Sequence, residues 1–192
     1  MPITINGSGT VTGISVGGLP DGIVDTDMIA SSVSLGGLTV AEQWCLTSAN
    51  DGDVSPITGW TKPSNHGRST FGTGGMTESS GIFTFGSNGY WIVSGSFNVT
   101  HKADQRYHEI QLWTSTDGGS NWNRSANGVS SAGTRPGGNT CLDSLEVKTM
   151  MDVTNYSNFK VKFISNTADS SDIWHGTDAN ESTAWFLKVG DT

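Results

Sequence analysis

Ser115 to Trp122 reads STDGGSNW, with a hydroxyl, a carboxylate and an indole set around a pair of glycines. Such a set has two uses. Its hydroxyl and carboxylate can belong to a hydrolytic site, or they can hold the backbone of the tight turn that Asp-Gly favours. The histidines are the next candidates. THKADQRYHE offers His101, Asp104, His108 and Glu109. On one strand the two imidazoles, seven residues apart, fall on opposite faces and make a poor pair of metal ligands, so a polar loop or rim is predicted. His66 and His175 each lack a partner arrangement, and His175 beside Trp174 reads as a surface loop. Oxygen-rich clusters at Asn50, Asp51 and Asp53, and at Asp169 and Asp172, have the ligand type that Ca²⁺ takes but not the spacing of a calcium loop. Solvated loops are predicted there and no cofactor, with loop-bound Ca²⁺ as the alternative. No nucleophile elbow, Walker loop or dinucleotide fingerprint occurs.

The elements that must position these groups are strands. The chain has 192 residues, enough for one domain with some extra length. Its 26 glycines against 5 prolines, with 15% charged residues, suit short strands joined by tight turns. Seven Trp and seven Phe supply a core and exclude disorder. In GYWIVSGSFNVT, Trp91, Val93, Gly95, Phe97 and Val99 share one face, and Tyr90, Ile92, Ser94, Ser96 and Asn98 the other. YHEIQLWTS sets Ile110 and Leu112 against Trp113, NFKVKFIS sets Phe159, Val161 and Phe163 against two lysines, and TAWFLKVG places Trp185, Leu187 and Val189 together. The prediction is an all-β sandwich or jelly roll.

Residues 1–40 differ from residues 41–192. They hold no Lys, Arg, His or aromatic residue, and their only charges are Asp21, Asp25 and Asp27. Ile3, Ile5, Val11, Ile14 and Val16 alternate with small polar residues, and DTDMIASSV can open a helical turn capped by Asp25 or Asp27. Such a segment cannot build a core alone. It is predicted to be an extended arm ordered on a partner surface or beside sister chains. The net charge is −8, and the 10 basic residues are scattered, which argues against nucleic-acid binding. No apolar run reaches the roughly 18–20 residues of a bilayer-spanning helix, so no membrane insertion is expected. MPITINGSGT does not read as a secretory signal. Cys45 and Cys141 form no CxxC motif and are expected to be two separate thiols made in a cytosol.

Three resemblances follow from these residues. STDGGSNW resembles the Asp box of sialidases, which recurs once per propeller blade in a hairpin away from the active site. It occurs once here, and four Arg and three Tyr cannot supply a sialidase's arginine cluster and repeated blades. A hairpin tip is therefore predicted, and no enzyme. Gly81 to Val99 resembles the signature strand of C1q/TNF-like jelly rolls through Phe83, Gly89, Trp91 and Val93, with Trp91 where the family usually has Tyr. STAWFLKV and DVTNYSNFKVKF are similar to that family's last two strands, although Trp185 or Phe186 replaces a Gly. Residues 3–33 resemble the N-terminal segment of fibre-like structural proteins in tailed phages of marine bacteria.

The resemblances imply a C1q/TNF-like jelly-roll β-sandwich over residues 41–192, homotrimeric, behind an extended arm over residues 1–40 that anchors to a capsid or tail protein. Phe83, Trp91, Phe97, Trp113 and Trp185 are the expected core or trimer aromatics, and a monomer exposing Tyr90, Ile92 and Trp113 would carry an unusual apolar patch. Trp122, Arg124, Arg135, Trp174 and His175 are the candidates for touching a host-surface glycan or receptor, with buried hairpin supports as the equal alternative for Trp122 and Trp174. The implied role is a virion structural protein, either an adhesive short fibre or a capsid decoration (cement) protein. A lectin-like carbohydrate-binding module is the third alternative.

Overall fold

The computed structural model describes residues 37–63, 70–101, 105–133, 141–168, 173–174 and 182–192, and the backbone of two short strands near the N-terminus. The chain divides into two units, Met1–Leu35 and Gly36–Thr192. In the first, β1 (Thr4–Ile5) pairs antiparallel with β2 (Val11–Thr12), so that Ile5 lies opposite Val11. The helical turn expected after Asp25 lies outside the described residues.

The second unit contains β3 (Val40–Leu46), β4 (Asn50–Asp51), β5 (Trp60–Thr61), β6 (Thr77–Ser79), β7 (Ile82–Thr84), β8 (Gly89–His101), β9 (Gln105–Ser115), β10 (Asn123–Ala132), β11 (Cys141–Val153), β12 (Lys160–Thr167), β13 (Ile173–Trp174) and β14 (Thr183–Gly190). They form two sheets. The five-stranded sheet runs β10-β9-β12-β7-β6. The seven-stranded sheet is centred on β8, which pairs with β11 along one edge and with β14 and then β13 along the other. From there β14 leads to β3 and β5, and β13 to β4. Among the described residues every pairing in these two sheets is antiparallel.

The period-2 pattern does what it predicts. Along β8, burial alternates at each residue, and Trp91, Val93, Phe97 and Val99 are fully buried. Ile110 and Leu112 of β9, Val161 and Phe163 of β12, and Phe186 of β14 meet them from the other strands. Trp60 joins the layers: its ring lies 5.5 Å from Phe83, 5.8 Å from Phe97 and 5.6 Å from Phe163. Its Nε1–H donates to the Ile57 carbonyl at 2.9 Å, which satisfies the one polar atom of a buried indole. Gly95 is required by this packing, because a Cβ there would lie 2.5 Å from the Phe97 ring and 2.9 Å from that of Phe163. Gly128 allows β10 to touch β11, since its Cβ would fall 2.1 Å from the Glu146 carbonyl oxygen.

Three expectations are corrected. Trp113 is not a core residue; it lies on the outer face of the five-stranded sheet, because Ile110 and Leu112 take the inward positions of β9. Trp113 is therefore on the opposite side of the sandwich from Tyr90 and Ile92, and the three do not form one patch. His101 and His108 are not on one strand: the first ends β8 and the second lies in β9, and the two rings meet inside at a 45° tilt, 4.9 Å apart and 1% and 0% exposed. Phe83, Trp91 and Phe97 are core residues, as expected, at 0% exposure. Cys45 on β3 and Cys141 on β11 have β14 and β8 between them. Three interstrand spacings, about 14 Å, exceed the reach of a disulfide.

Phe163→Ala removes the ring that touches Trp60, Phe83 and Phe97. It is expected to lower the unfolding free energy by about 3–5 kcal/mol, measured by urea denaturation followed through tryptophan fluorescence.

Candidate functional site

The Ser115–Trp122 stretch is a closed turn between β9 and β10. Ser115 Oγ donates to Asp117 Oδ1 at 2.7 Å and accepts from the Gly119 amide at 2.9 Å. Asp117 accepts from the Asn121 backbone and side chain at 2.9 and 2.6 Å. Gly118 and Gly119 both have positive φ, 76° and 100°, which a side chain would strain. Trp122 folds back to donate to the Gly119 carbonyl at 2.9 Å, and Lys162 stands 4.4 Å over its ring. Both side chains of the motif are thus committed to the turn itself. The hydrogen bonds from Asn121 and Ser115 favour the ionised carboxylate and hold Asp117 well below its usual range, from 3.8 to about 2.

The outer face of the seven-stranded sheet presents apolar side chains to solvent. Cross-strand register aligns Met150 of β11, Ile92 of β8, Leu187 of β14 and Ala41 of β3 in one row. Tyr90 and Trp185 flank it, with Met150 68%, Tyr90 41% and Trp185 39% exposed. Phe71, bonded through its backbone to Ala41, extends the apolar surface beyond β3. Beside Trp185 is a notch of about 230 Å³ lined also by Ser94, Ser96, Glu146 and Lys148. Trp185 therefore stands where a partner can reach it, because Ala184 and Phe186 occupy the core-facing positions of β14.

The outer face of the five-stranded sheet is polar and tightly bonded. Glu109, 9% exposed, accepts from Arg124 at 3.0 Å, Asn127 at 3.1 Å, Gln111 at 2.7 Å and Asn166 at 3.3 Å. Gln111 in turn accepts from the Trp113 indole at 2.6 Å. No local motif marks this group; the signal that would have found it is Glu109 and Gln111 on the outward alternation of β9.

The expected recognition residues do not converge. Trp174 is a correction: it is fully buried, edge-on to Phe97 at 6.3 Å, with its Nε1–H donating to the Gly52 carbonyl. Pairing of β13 with β8 carries it inward. Trp122 supports the turn, and Arg124 is half-exposed and paired with Glu109. Arg135 and His175 lie outside the described residues, as do Asp169 and Asp172. Asn50 and Asp53 bond to Thr58 and Thr167 respectively, bracing their loop against β12. Among the described residues no three His, Cys, Asp or Glu side chains are grouped to hold a metal.

No family model matches this chain, and neither does any curated protein sequence. Solved structures match its fold. Eiger TNF from S. frugiperda superposes with a TM-score of 0.59 at 11% identity, over 81% of this chain and 95% of that one. Murine APRIL at pH 5.0 superposes with a TM-score of 0.53 at 8% identity, over 78% and 98%. The likeness at these identities is one of fold: the chain is a TNF-like, all-β jelly-roll sandwich.

Asp117 provides a check on the turn. Its folded pKa is depressed, so its contribution is complete above the usual 3.8 and is lost as pH falls through about 2. Carbon-detected NMR should place the Asp117 side-chain midpoint near 2, and Ser115→Ala with Asn121→Ala should move it back toward 3.8.

Proposed function

We propose that this chain is a non-enzymatic structural protein of a tailed-phage virion, a homotrimer whose residues 1–40 anchor it to a capsid or tail and whose jelly-roll head faces outward for host-surface adhesion. The observation that carries the reading is the outer face of the seven-stranded sheet. A chain with net charge −8 and polar loops sets Met150, Ile92, Leu187, Tyr90 and Trp185 on one surface. An apolar surface of this kind on a soluble domain marks an interface. The row crosses β11, β8, β14 and β3, and a closed cyclic assembly buries it with identical patches. The C1q/TNF-like resemblance selects three copies for that assembly.

The absence of catalysis is part of the same reading: the motif that most resembles an enzyme's spends its hydroxyl and carboxylate on its own turn. The arm supports the anchoring role by composition, having alternating β-branched residues without an aromatic core of its own. Decoration of the capsid remains the competing use of the same trimer, and imaging whole particles decides between head and tail.

Light scattering on the purified chain should report three times the chain mass. Met150→Asp together with Trp185→Asp should give a single-chain mass with unchanged β-sheet circular dichroism, because both side chains lie outside the core. Deleting residues 1–35, the first unit, should abolish particle attachment and leave the head trimeric. A wild-type chain that is monomeric at micromolar concentration would overturn the assembly.

A further inference from the structure

On the sheet opposite the association face, residues 53–55 run beside β12 and wall off a cleft of about 340 Å³. Trp113 and Gln111 of β9 form one side of it, Ile164 and Asn166 part of its floor, and Asp53 and Ser55 the other rim. We propose that this cleft is a carbohydrate subsite that takes a neutral hexopyranose ring, and the inference rests on the adhesion reading of the head.

The chemistry of the lining selects that ligand. A pyranose has one face of weakly positive C–H groups, which pack on the electron-rich face of an indole, and a rim of hydroxyls that need planar donors and acceptors. Trp113 is half-buried, and its ring is held by the 2.6 Å bond from Nε1 to Gln111 Oε1. Gln111 and Asn166 are held in their turn by Glu109, to which each donates from its amide nitrogen. A carboxamide has two N–H donors, so one of each pair is left for a ligand hydroxyl. Ser55 is exposed on the far rim, and Asp53 commits Oδ1 to Thr167. An aromatic plane and two amides are thus fixed before any ligand arrives, which lowers the entropy lost on binding.

Charge and size narrow the class. The cations beside Trp113 in the sheet register are Lys162 and Arg124. Lys162 lies over the Trp122 ring, and Arg124 is paired with Glu109. The cleft's lining residues include the acidic Asp53 and no basic side chain, which disfavours sialylated or sulfated sugars. The volume sits at the small end of ligand sites, roughly 300–1,000 Å³, and suits a terminal residue rather than a long chain. The cleft also lies on the sheet that the association face leaves uncovered, so assembly keeps it open.

Saturation-transfer NMR on the full-length chain, with methyl gluco-, galacto- and mannopyranosides and with sialyllactose as the probes, tests the assignment. At least one neutral pyranoside should receive saturation at its ring C–H protons. Trp113→Ala should weaken that binding about tenfold or more, with an unchanged unfolding midpoint, and Trp113→Phe should restore part of it. No binding by any neutral pyranoside, binding of sialyllactose alone, or wild-type affinity in Trp113→Ala would each overturn the subsite. Cell-adsorption measurements separate the two readings. A head that adsorbs to cells yet binds no pyranoside refutes this cleft and leaves adhesion standing, whereas pyranoside binding without adsorption does the reverse.

Discussion

Trp60 is the side chain on which the sandwich depends. It comes from a strand of only two residues, yet its ring meets Phe83 and Phe163 from one sheet and Phe97 from its own. Close packing at this point leaves no volume for a Cβ at Gly95, and the indole N–H is satisfied only because Ile57 turns its carbonyl inward. Ile57 is itself tied to Phe163 through its backbone N–H. A buried indole without that acceptor would carry an unpaired donor in an apolar layer, at a cost of about 1–3 kcal/mol. The segment from Asn50 to Trp60 is therefore as much a part of the core as the long strands are.

With the interior filled, the outward sets of side chains are left to define surfaces, and the two sheets define them differently. The outward alternation of β8, β11 and β14 is apolar in its central row, while that of β9, β10 and β12 is a bonded polar set organised by Glu109. One sheet presents what water disfavours, and the other presents fixed donors and acceptors around Trp113. The head therefore carries two outer faces of different chemistry, one apolar and one polar.

The turn at Ser115–Trp122 shows how a motif can be shared between proteins that differ in function. Its hydroxyl, carboxylate and indole all bond within eight residues, and its backbone is tied to the rest of the domain by the pairing of Ser115 with Lys160 and by Gly118 N–H to the Asn158 carbonyl. Such a module is self-contained, so it can be placed at the tip of any hairpin whose strands accept its geometry. The structure gives the turn a neighbour in Lys162, which burial pushes down from its ordinary pKa and which covers the Trp122 ring.

Local patterns in the sequence were enough to predict the strand class, the inward faces of β8 and β12, and the turn after Ser115, because alternation and Asp-Gly chemistry act within a few residues. The core roles of Trp91 and Phe97 follow from the same alternation, and that of Phe83 was expected from the C1q/TNF-like resemblance. What it could not show is which strand lies beside which. Trp174 looked like a loop aromatic until pairing of β13 with β8 carried it inside, and His101 and His108 looked like opposite faces of one strand although they belong to β8 and β9 and bring their rings within 4.9 Å inside. Trp113 and Trp185 both read as core or interface, and only the structure showed that they stand on the outer faces of different sheets. Sequence determines which face of a strand is apolar through neighbouring residues; the tertiary structure decides what that face meets, because strand pairing joins residues far apart in the chain.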